Sequence, residues 1–477
     1  MGGLSRRAYM IEKMRKEENS PLLLVDAGGM LFPKPAVPPS LYRAQTAQAA
    51  GLVEAMARMG YDAVGIAPQD LAAGAAFLLD RPPGATLPWV SANLAEPDGS
   101  RLLFPPYVIR QADSLRVAVI GLTGVPQNTQ PSLRRDYRLL SWEDGLTSAL
   151  EQIKGRADMV VLLSSLDEQA NRKIAETFDT IHLIIQSGHA TGTLRPMLVG
   201  NALLTRIGSR GKQLGRLDID WHPPGKWQQT AAASIKQAKD RLDRVTWLMG
   251  RMEKRYTVDQ LAANRQYADL VRQREELSAR VAELEAKQKE LVDPLSTYRS
   301  DIINLAVSLP EDPEVRKIVH RTKEAVNRIG KEALAGKQGR SSAAKQAFAD
   351  MAGWQACLPC HRSQTEFWQQ TGHARAWQTL ATANQQYNQE CVRCHVTLPT
   401  YDPDTVTRLN LLAGLPEVFR GVGCETCHGP AAGHSRNPER FAPEKPDEQT
   451  CLICHTPDHD TSFNFEEKLP KIRCPAD

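Results

Sequence analysis

Short apolar runs rich in β-branched residues recur through the first half of the chain. They lie at 22–26, 61–66, 115–121, 158–163 and 181–185. Helical patterns separate several of them, such as Leu41 to Met59 and Leu146 to Ile153. Strands that alternate with helices predict an α/β sandwich, and we place this N-terminal domain at residues 1–222.

A helical repeat follows the α/β pattern. Between about Ala231 and Leu291 the chain has no proline, and leucines recur at intervals of seven residues: Leu270, Leu277, Leu284 and Leu291. The seam positions between these leucines are partly polar, so the stripe is imperfect. We expect an α-helical hairpin connector at 223–295. The alternative is an intermolecular coiled coil, which would make a homo-oligomer through this helical region.

Beyond the helical repeat, the run from Tyr298 to Val307 predicts a strand that returns to the N-terminal domain. A charged helix and a polar segment from Lys337 complete a linker at 296–345. Charge divides the rest of the chain: residues 223–345 carry 24 Lys/Arg against 17 Asp/Glu, and residues 346–477 carry 11 against 16. A basic middle therefore precedes an acidic C-terminal domain at 346–477.

The composition narrows the class of protein. A length of 477 residues suggests about three folded units, and a net charge of +4 does not indicate a nucleic-acid partner. No stretch of about 18 or more apolar residues occurs, so we expect no integral membrane segment in this chain. The first 20 residues lack the apolar core of a signal peptide, and no export signal is visible.

The cysteines carry the strongest chemical signal. Eight of the nine fall into four Cys-x-x-Cys-His motifs: Cys357, Cys360 and His361; Cys391, Cys394 and His395; Cys424, Cys427 and His428; Cys451, Cys454 and His455. Two thiols three positions apart can each form a thioether with one porphyrin, and the adjacent imidazole can then ligate its iron. Zinc or dithiol chemistry also uses Cys-x-x-Cys, but neither requires the following histidine. We therefore expect four covalently attached c-type haems.

The sixth ligand of each iron has to come from elsewhere. His373 follows the first motif by twelve residues and His434 follows the third by six, and each is either a ligand or an exposed surface histidine. His459 stands close to the fourth motif, and His320 lies in a charged helical stretch that favours a solvated helix face.

The residues from about 350 to 474 resemble the tetrahaem cytochrome c-554 family. The resemblance rests on the four motifs, the segment Phe367 to Leu380, which is aromatic-rich and contains Thr-Gly-His, and the Cys-His-Gly-Pro of the third motif. It implies that His373 and His434 are distal haem ligands. It also implies that the haem of the second motif is five-coordinate, which would leave an iron open to a small molecule.

The N-terminal domain resembles calcineurin-like, 5′-nucleotidase-type metallophosphatases. The phrases VDAGGMLF at 25–32, YDAVGIAPQD at 61–70 and HLIIQSGHATGT at 182–193 appear in the expected order. The expected metal ligands are replaced. Gly29 occupies the position of an aspartate, and Pro68 and Gln69 occupy the positions of Asn-His. Ser165 replaces a histidine, and Thr191 replaces the last histidine. Because such enzymes clamp a phosphate between two metal ions, this domain is predicted to be a catalytically inactive, degenerate relative. Asp26 and His189 remain as framework remnants or as binding residues.

The first ligand motif of that family would precede residue 1. We expect the natural chain to begin upstream, with a further strand and a signal peptide. Haem attachment through cysteines then implies a periplasmic or extracellular location. If the reading frame upstream of residue 1 encoded neither a strand nor a signal peptide, the expectation of an upstream start would be wrong.

The fold class is therefore multidomain: an α/β metallophosphatase-like sandwich, an α-helical hairpin connector and a mostly α-helical, loop-rich tetrahaem cytochrome c domain. The leading function is electron transfer between redox partner proteins, and we expect basic partners because the haem domain is acidic. The alternatives are an oxidoreductase acting on a small nitrogen or oxygen species at an open iron, a binding or scaffold role, and a residual nucleotidase or phosphatase. Cys474 lies outside the motifs and is either an incidental thiol or a link to another chain.

Overall fold

The computed structural model describes residues 3–475 except 18–19, 81–86, 126–135, 188–191, 209–210, 224, 228–230, 254–255, 258–259, 262–263, 290–294, 337–341, 400–407, 457–459 and 461–462. The strands are β1 Val25–Asp26, β2 Ala63–Gly65, β3 Trp89–Val90, β4 Leu94–Ala95, β5 Tyr107–Ala112, β6 Leu115–Leu122, β7 Arg138–Leu139, β8 Met159–Ser164, β9 Leu183–Gln186, β10 Leu194–Val199, β11 Ala202–Arg206, β12 Gln213–Asp220 and β13 Thr297–Asn304. The helices of the first two-thirds of the chain are α1 Leu4–Glu17, α2 Tyr42–Met59, α3 Ala76–Leu79, α4 Trp142–Ile153, α5 Glu168–Thr177, α6 Ala231–Glu253, α7 Arg265–Lys289 and α8 Pro313–Ala335.

Short helices make up the C-terminal region. They are α9 Ser342–Ala347, α10 Trp354–Cys357, α11 Arg362–Gln369, α12 Ala376–Thr382, α13 Gln389–Val392, α14 Arg408–Ala413, α15 Cys424–His428, α16 Ala432–Arg436, α17 Glu448–Leu452 and α18 Phe465–Lys468. Single turns of 3₁₀ helix lie at Pro39–Leu41, Pro68–Leu71, Glu417–Phe419 and Leu469–Lys471. The described buried side chains of this region form only small clusters, around Leu380 and Leu411.

Two stacked sheets form the N-terminal domain. One has the order β10-β11-β9-β8-β6-β5, with parallel pairing from β6 through β11 and antiparallel strands at both edges, and the other is the parallel sheet β1-β2-β3. Ala63, Val119 and Leu163 are among the buried residues between them. A Cβ at Gly121 would lie 2.0 Å from the Val90 carbonyl oxygen, so a glycine is needed where the sheets approach most closely.

Helices cover the outer face of each sheet. Leu146 and Ile174, from α4 and α5, pack on the apolar side chains of β6, β8 and β9. Ile11, Val53 and Val315, from α1, α2 and α8, belong to the cluster that covers β2. This four-layer arrangement confirms the expected α/β sandwich, because each apolar strand face is buried by a neighbouring layer.

The helical connector is an antiparallel hairpin of α6 and α7. Val245, Met249 and Leu270 are buried between the two helices. An ion pair between Lys239 and Glu285, at 2.8 Å, joins the ends furthest from the turn. The hairpin leaves and rejoins the domain beside β12 and β13, which pair antiparallel from Gln213–Asn304 to Asp220–Thr297. Of the four leucines in the predicted stripe, Leu291 lies outside the described residues, as does the polar segment from Lys337.

Helix α8 connects the two ends of the molecule. The Asp312 carboxylate accepts a hydrogen bond from the Val315 amide at 2.7 Å, and Pro313 fits the first helical position, so the helix begins there. Its first half packs on α1 and α2, and its second half contacts the C-terminal region, where Asn327 bonds to Asn384. No helix in the described ranges is both long enough and apolar enough to cross a membrane.

Candidate haem-attachment site

The Cys-x-x-Cys-His motifs fold as single helical turns. The His361 amide donates to the Cys357 carbonyl at 2.8 Å, and the His455 amide donates to the Cys451 carbonyl at 2.9 Å. In the third motif the whole pentapeptide is helix α15. Because residues four apart in a helical turn share a face, the first thiol and the histidine of each turn point to the same side. This placement suits two thioether bonds and one axial imidazole on a single porphyrin.

The first motif histidine lies opposite a histidine from outside the motifs. The ring centroids of His361 and His434 are 6.1 Å apart, with an angle of 24° between the ring planes. The His434 Nδ1 lies 2.6 Å from the Phe441 carbonyl oxygen. Since a carbonyl only accepts, Nδ1 carries the proton and Nε2 keeps its lone pair. The His434 ring is therefore held in the tautomer that can bind a metal.

A second pair of the same kind joins the fourth motif to His373. The ring centroids of His373 and His455 are also 6.1 Å apart, at an interplanar angle of 67°. Burial lowers the pKa of His373, and the neighbouring His455 lowers it further. Both effects favour the neutral imidazole, which is the form that ligates iron.

Hydrogen bonds at Nδ1 fix three of the motif imidazoles. The His395 Nδ1 lies 2.8 Å from the Ala376 carbonyl oxygen, and the His428 Nδ1 lies 2.9 Å from the Glu444 carbonyl oxygen. The partner of His455 is different, because its Nδ1 lies 2.9 Å from the Asp460 carboxylate. Partners of this kind orient metal-binding histidines and tune their donor strength.

His395 and His428 are each without a neighbouring imidazole in the portion of the chain that the structure describes. His320 is 75% exposed and its Nδ1 lies 3.2 Å from Glu324 on the same helix, so it occupies the solvated face that its sequence favours. His459 lies outside the described residues. The structure thus brings His373 and His434 to motif histidines and does not do so for His320.

Contacts between thiols show the spatial order of the motifs. A hydrogen bond with Cys357 raises the pKa of the Cys424 thiol, and one with Cys394 raises the pKa of the Cys454 thiol. Burial, and then the nearby Cys451, raise the pKa of Cys427. The first motif therefore neighbours the third, the third neighbours the fourth, and the fourth neighbours the second.

One functionally placed residue was not found from the sequence. Glu425 occupies a variable position of the third motif, and its side chain is 6% exposed. The carboxylate accepts three backbone hydrogen bonds, each 2.8 Å long, from the amides of Ala352, Gly353 and Ala431. It therefore ties the third motif to the segment that enters the first. The only sign of this role in the sequence is an acidic residue between the two cysteines of the third motif.

The residues present fit a haem group. Each motif supplies two thiols and an imidazole, and two motifs also face a second imidazole at a spacing that admits a metal ion between the rings. Trp354 and Trp368 lie beside the first motif with ring centroids 5.4 Å apart, and they supply flat apolar surface of the kind that packs on a porphyrin. Cys474 is exposed and lies close enough to Cys424 to raise the pKa of that thiol.

Hydrogen bonds within the domain occupy Ser165, at the position of one phosphatase ligand, and Asp70, which lies beside two others. The buried Ser165 hydroxyl accepts from the Gly124 amide at 2.8 Å. The Asp70 carboxylate accepts from the amides of Gly29, Met30, Leu31 and Ala67, and burial raises its pKa to about 6 while these bonds lower it. Pro68 and Gln69 lie in the adjacent 3₁₀ turn. Asp70 was not singled out from the sequence.

Asp26 faces an arginine in the structure. The Arg7 Nη1 lies 3.9 Å from the Asp26 carboxylate and donates to the Tyr61 hydroxyl at 3.1 Å. Burial raises the pKa of Asp26, and the Arg7 charge opposes that shift. His189 and Thr191 lie outside the described residues. Within the described ranges no three His, Cys, Asp or Glu side chains group as metal ligands would.

Comparison with known proteins returns a family model and a relative that match parts of the C-terminal region. Residues 356–429 match the family model described as cytochrome c554 and c-prime, a range that contains the first three motifs. Cytochrome c-554 of Nitrosomonas europaea is 33% identical over 107 residues, which cover 19% of this chain and 42% of the relative. The chain thus spans less than half of that relative's length. Part of the C-terminal region, including the first three motifs, is therefore similar to cytochrome c554.

Several solved structures are similar to this chain. The sulfate thiohydrolase SoxB of Thermus thermophilus has a TM-score of 0.44 and 17% identity, with 68% of this chain and 46% of that chain covered. The calcineurin-like phosphoesterase YfkN of Bacillus subtilis has a TM-score of 0.43 and 16% identity, with 69% and 90% covered. A 5′-nucleotidase precursor of Thermus thermophilus also has a TM-score of 0.43 and 16% identity, with 76% and 62% covered.

Proposed function

We propose that this chain is a multihaem c-type cytochrome that transfers electrons between redox partner proteins, with a catalytically inactive α/β domain as a binding or scaffold module. The two histidine pairs with centroids 6.1 Å apart carry the proposal. A metal–imidazole bond is about 2 Å long and a ring centroid lies roughly 1 Å behind its nitrogen, so two axial imidazoles place their centroids about 6 Å apart. A chance contact between histidines has no reason to adopt this spacing twice.

The twelve motif residues hold four haems in this proposal. Each pair of cysteines forms the two thioethers, and His361, His395, His428 and His455 are the proximal ligands. Bound haem iron supplies reversible one-electron exchange. His434 completes the coordination at the first motif and His373 at the fourth, because those are the motif histidines that they face.

The order of the motifs supports a relay. Neighbouring thiols place the four motifs in the series first, third, fourth, second. The first and second motifs then stand at the two ends, where exchange with partners would occur. Basic partners suit the excess of 16 Asp/Glu over 11 Lys/Arg in residues 346–477, since opposite charges accelerate encounter. We place the protein in the periplasm or outside the cell, where c-type cytochromes act.

The α/β domain is assigned a non-hydrolytic role. Ser165 and Asp70 are saturated by internal hydrogen bonds, and Arg7 places a positive charge next to Asp26, where a cation would be repelled. A dinuclear site would need several carboxylates and imidazoles in these positions. A phosphomonoester assay with added Mn²⁺ should show no turnover, and metal-dependent hydrolysis would overturn this part of the proposal.

A second candidate function is oxidoreductase activity on a small nitrogen or oxygen species. It is favoured by His395 and His428, which have no facing imidazole in the described part of the chain, so the irons of the second and third motifs would keep an open position. High-spin iron that binds nitric oxide or cyanide in the native protein would support it. Entirely low-spin spectra would remove it.

The deciding experiment combines haem counting with electron paramagnetic resonance on the haem-loaded protein. We expect four haems per chain, and a smaller number would overturn the count. His434→Ala and His373→Ala should each convert one iron from low to high spin while all haems remain attached, because thioethers do not depend on the distal ligand. His320→Gln is the matched control and should leave the spectrum unchanged. Unaltered spectra in both alanine variants would contradict the assigned ligands.

A further inference from the structure

The motif histidines differ in the acceptor at Nδ1. His395 and His428 donate to neutral backbone carbonyls, those of Ala376 and Glu444. His455 instead lies 2.9 Å from the Asp460 carboxylate, which is 27% exposed. The His455 ring also stacks on Phe463, with centroids 4.8 Å apart and an interplanar angle of 23°. The fourth motif therefore has a charged acceptor and an aromatic ring against its imidazole.

A carboxylate acceptor changes the imidazole electronically. It draws the Nδ1 proton away from the ring, so Nε2 becomes a stronger donor to a bound metal. A stronger donor stabilises the more highly charged iron, and the negative charge of the carboxylate acts in the same direction. A neutral carbonyl orients the ring equally well but supplies much less of either effect. The acceptor type therefore sets the fourth haem site apart from those of the second and third motifs.

We propose that Asp460 is a positioning residue that lowers the reduction potential at the fourth motif by holding the His455 imidazole with a charged acceptor. This inference rests on the proposed haem attachment and ligation. Under this proposal the haem sites differ in reduction potential because their histidines have different acceptors at Nδ1. The carboxylate of Asp460 makes the fourth haem harder to reduce than a backbone carbonyl would. Asp460 acts on the iron only through His455.

The test is a potentiometric titration of the haem-loaded protein, monitored optically. Asp460→Asn keeps an acceptor oxygen near Nδ1 but removes the charge. We expect one of the couples to move to higher potential by a tenfold or greater change in its equilibrium, which is about 59 mV for one electron. The remaining couples should stay in place. Asp460→Glu restores a carboxylate and should return that couple towards its native value.

Glu448→Gln is the matched control. Glu448 is an exposed carboxylate in the first turn of α17, three residues before Cys451, and its side chain is not bonded to His455 in the described part of the chain. The same loss of charge there should leave all couples within a small common shift. An equal shift in Glu448→Gln, or unchanged couples in Asp460→Asn, would overturn the proposal.

If the Asp460→Asn variant loses the fourth haem, the Asp460→Glu variant still tests the proposal. Asp460→Glu must then keep a couple at the native low potential, and a raised couple in that variant would also count against the role of Asp460. Failure of the proposed function looks different, because a chain without covalent haem or without reducible iron would show no couples at all.

Discussion

His182 is buried at one end of a series of aromatic contacts in the α/β domain. Its Nδ1 accepts a hydrogen bond from the Val160 amide at 3.0 Å, and its ring meets the Trp221 ring edge-on with centroids 4.7 Å apart. Trp227 donates its indole N–H to the His182 carbonyl at 2.8 Å. Both the burial and the accepted hydrogen bond require the neutral imidazole.

The stability of the α/β domain should therefore depend on His182 in acid. Burial lowers the pKa of His182 to about 4, whereas in the unfolded chain its pKa is about 6.5. Between these two pH values, His182 binds a proton in the unfolded state but not in the folded state. The contribution of His182 to the free energy of unfolding is therefore complete above pH 6.5. It should fall by about 3 kcal/mol as the pH drops to about 4. Urea titrations at several pH values, followed by circular dichroism, measure this slope.

His182→Gln keeps an acceptor for Val160 and removes the titration. Its stability should therefore be nearly constant over the same pH range. His222→Gln is the control, because His222 is 40% exposed at the domain surface, and that variant should keep the native slope. An unchanged slope in His182→Gln would show that another group is responsible.

Glu425 should contribute more to stability than any surface carboxylate of the haem domain. Glu425→Gln weakens three short hydrogen bonds and turns an amide towards backbone donors, so we expect a loss of about 2 to 4 kcal/mol. Glu417→Gln serves as the comparison, since Glu417 is 90% exposed and should cost under about 0.5 kcal/mol. Urea unfolding of the haem-loaded protein, followed in the Soret band, measures both. Equal losses would contradict the buried role of Glu425.

The sequence predicts residues well where the chemistry is local. Cysteine and histidine spacing within one turn is enough to identify the attachment motifs. His361 and His434 lie opposite each other although they are 73 positions apart in the sequence. No local pattern predicts this contact, because it depends on how α15 and α16 pack on the segment before the first motif. Asp460 and Glu425 are ordinary acidic residues until the fold gives them partners.

At the scale of elements, apolar runs predict the interior strands and also the half-exposed strand β13. Strands β6, β8 and β9 are largely buried and read as continuous hydrophobic stretches. Strands such as β5 and β12 are half-exposed and carry arginine or aspartate, so their periodicity is weak. Helix α1 was also not predicted, because most of its residues are polar and only Leu4, Ala8 and Ile11 form its buried apolar stripe.

The hairpin of α6 and α7 should be stable only as a packed pair. An isolated helix of this composition is marginal in water, so the shared core must hold both. Met249 is 3% exposed in that core, whereas Trp247 on the same helix is 59% exposed. Met249→Glu should lose much of the helical signal of α6 and α7 in circular dichroism without a change in the haem spectrum. Trp247→Glu should keep the native helical signal.

The same variants separate the hairpin from an intermolecular coiled coil. Packing within one chain is independent of protein concentration, whereas a coiled coil between chains dissociates on dilution. Native helicity that falls on dilution, together with loss of a dimer in sedimentation, would contradict the hairpin as the unit of stability.

At the scale of the molecule, α8 is shared by the α/β and haem domains. Thr322 packs against Gly51 of α2 so closely that a Cβ on that glycine would lie 2.0 Å from the threonine hydroxyl oxygen. One to two turns later, the Asn327 side chain bonds to Asn384, and its oxygen accepts from the Tyr387 amide at 2.9 Å. Because one helix makes both contacts, we expect the unfolding of the two domains to be coupled.

Gly330 of α8 tests this coupling. A Cβ at Gly330 would lie 2.0 Å from the Tyr387 carbonyl oxygen, a backbone atom that cannot yield without moving the haem domain. Gly330→Ala should therefore loosen the haem domain, divide one thermal transition into two and increase the radius of gyration in X-ray scattering. Gly336→Ala, at the C-cap of the same helix, is the control, because its Cβ would make only ordinary contacts of 3.7 Å or more. If both variants unfold in one transition like the native protein, α8 does not transmit stability between the domains.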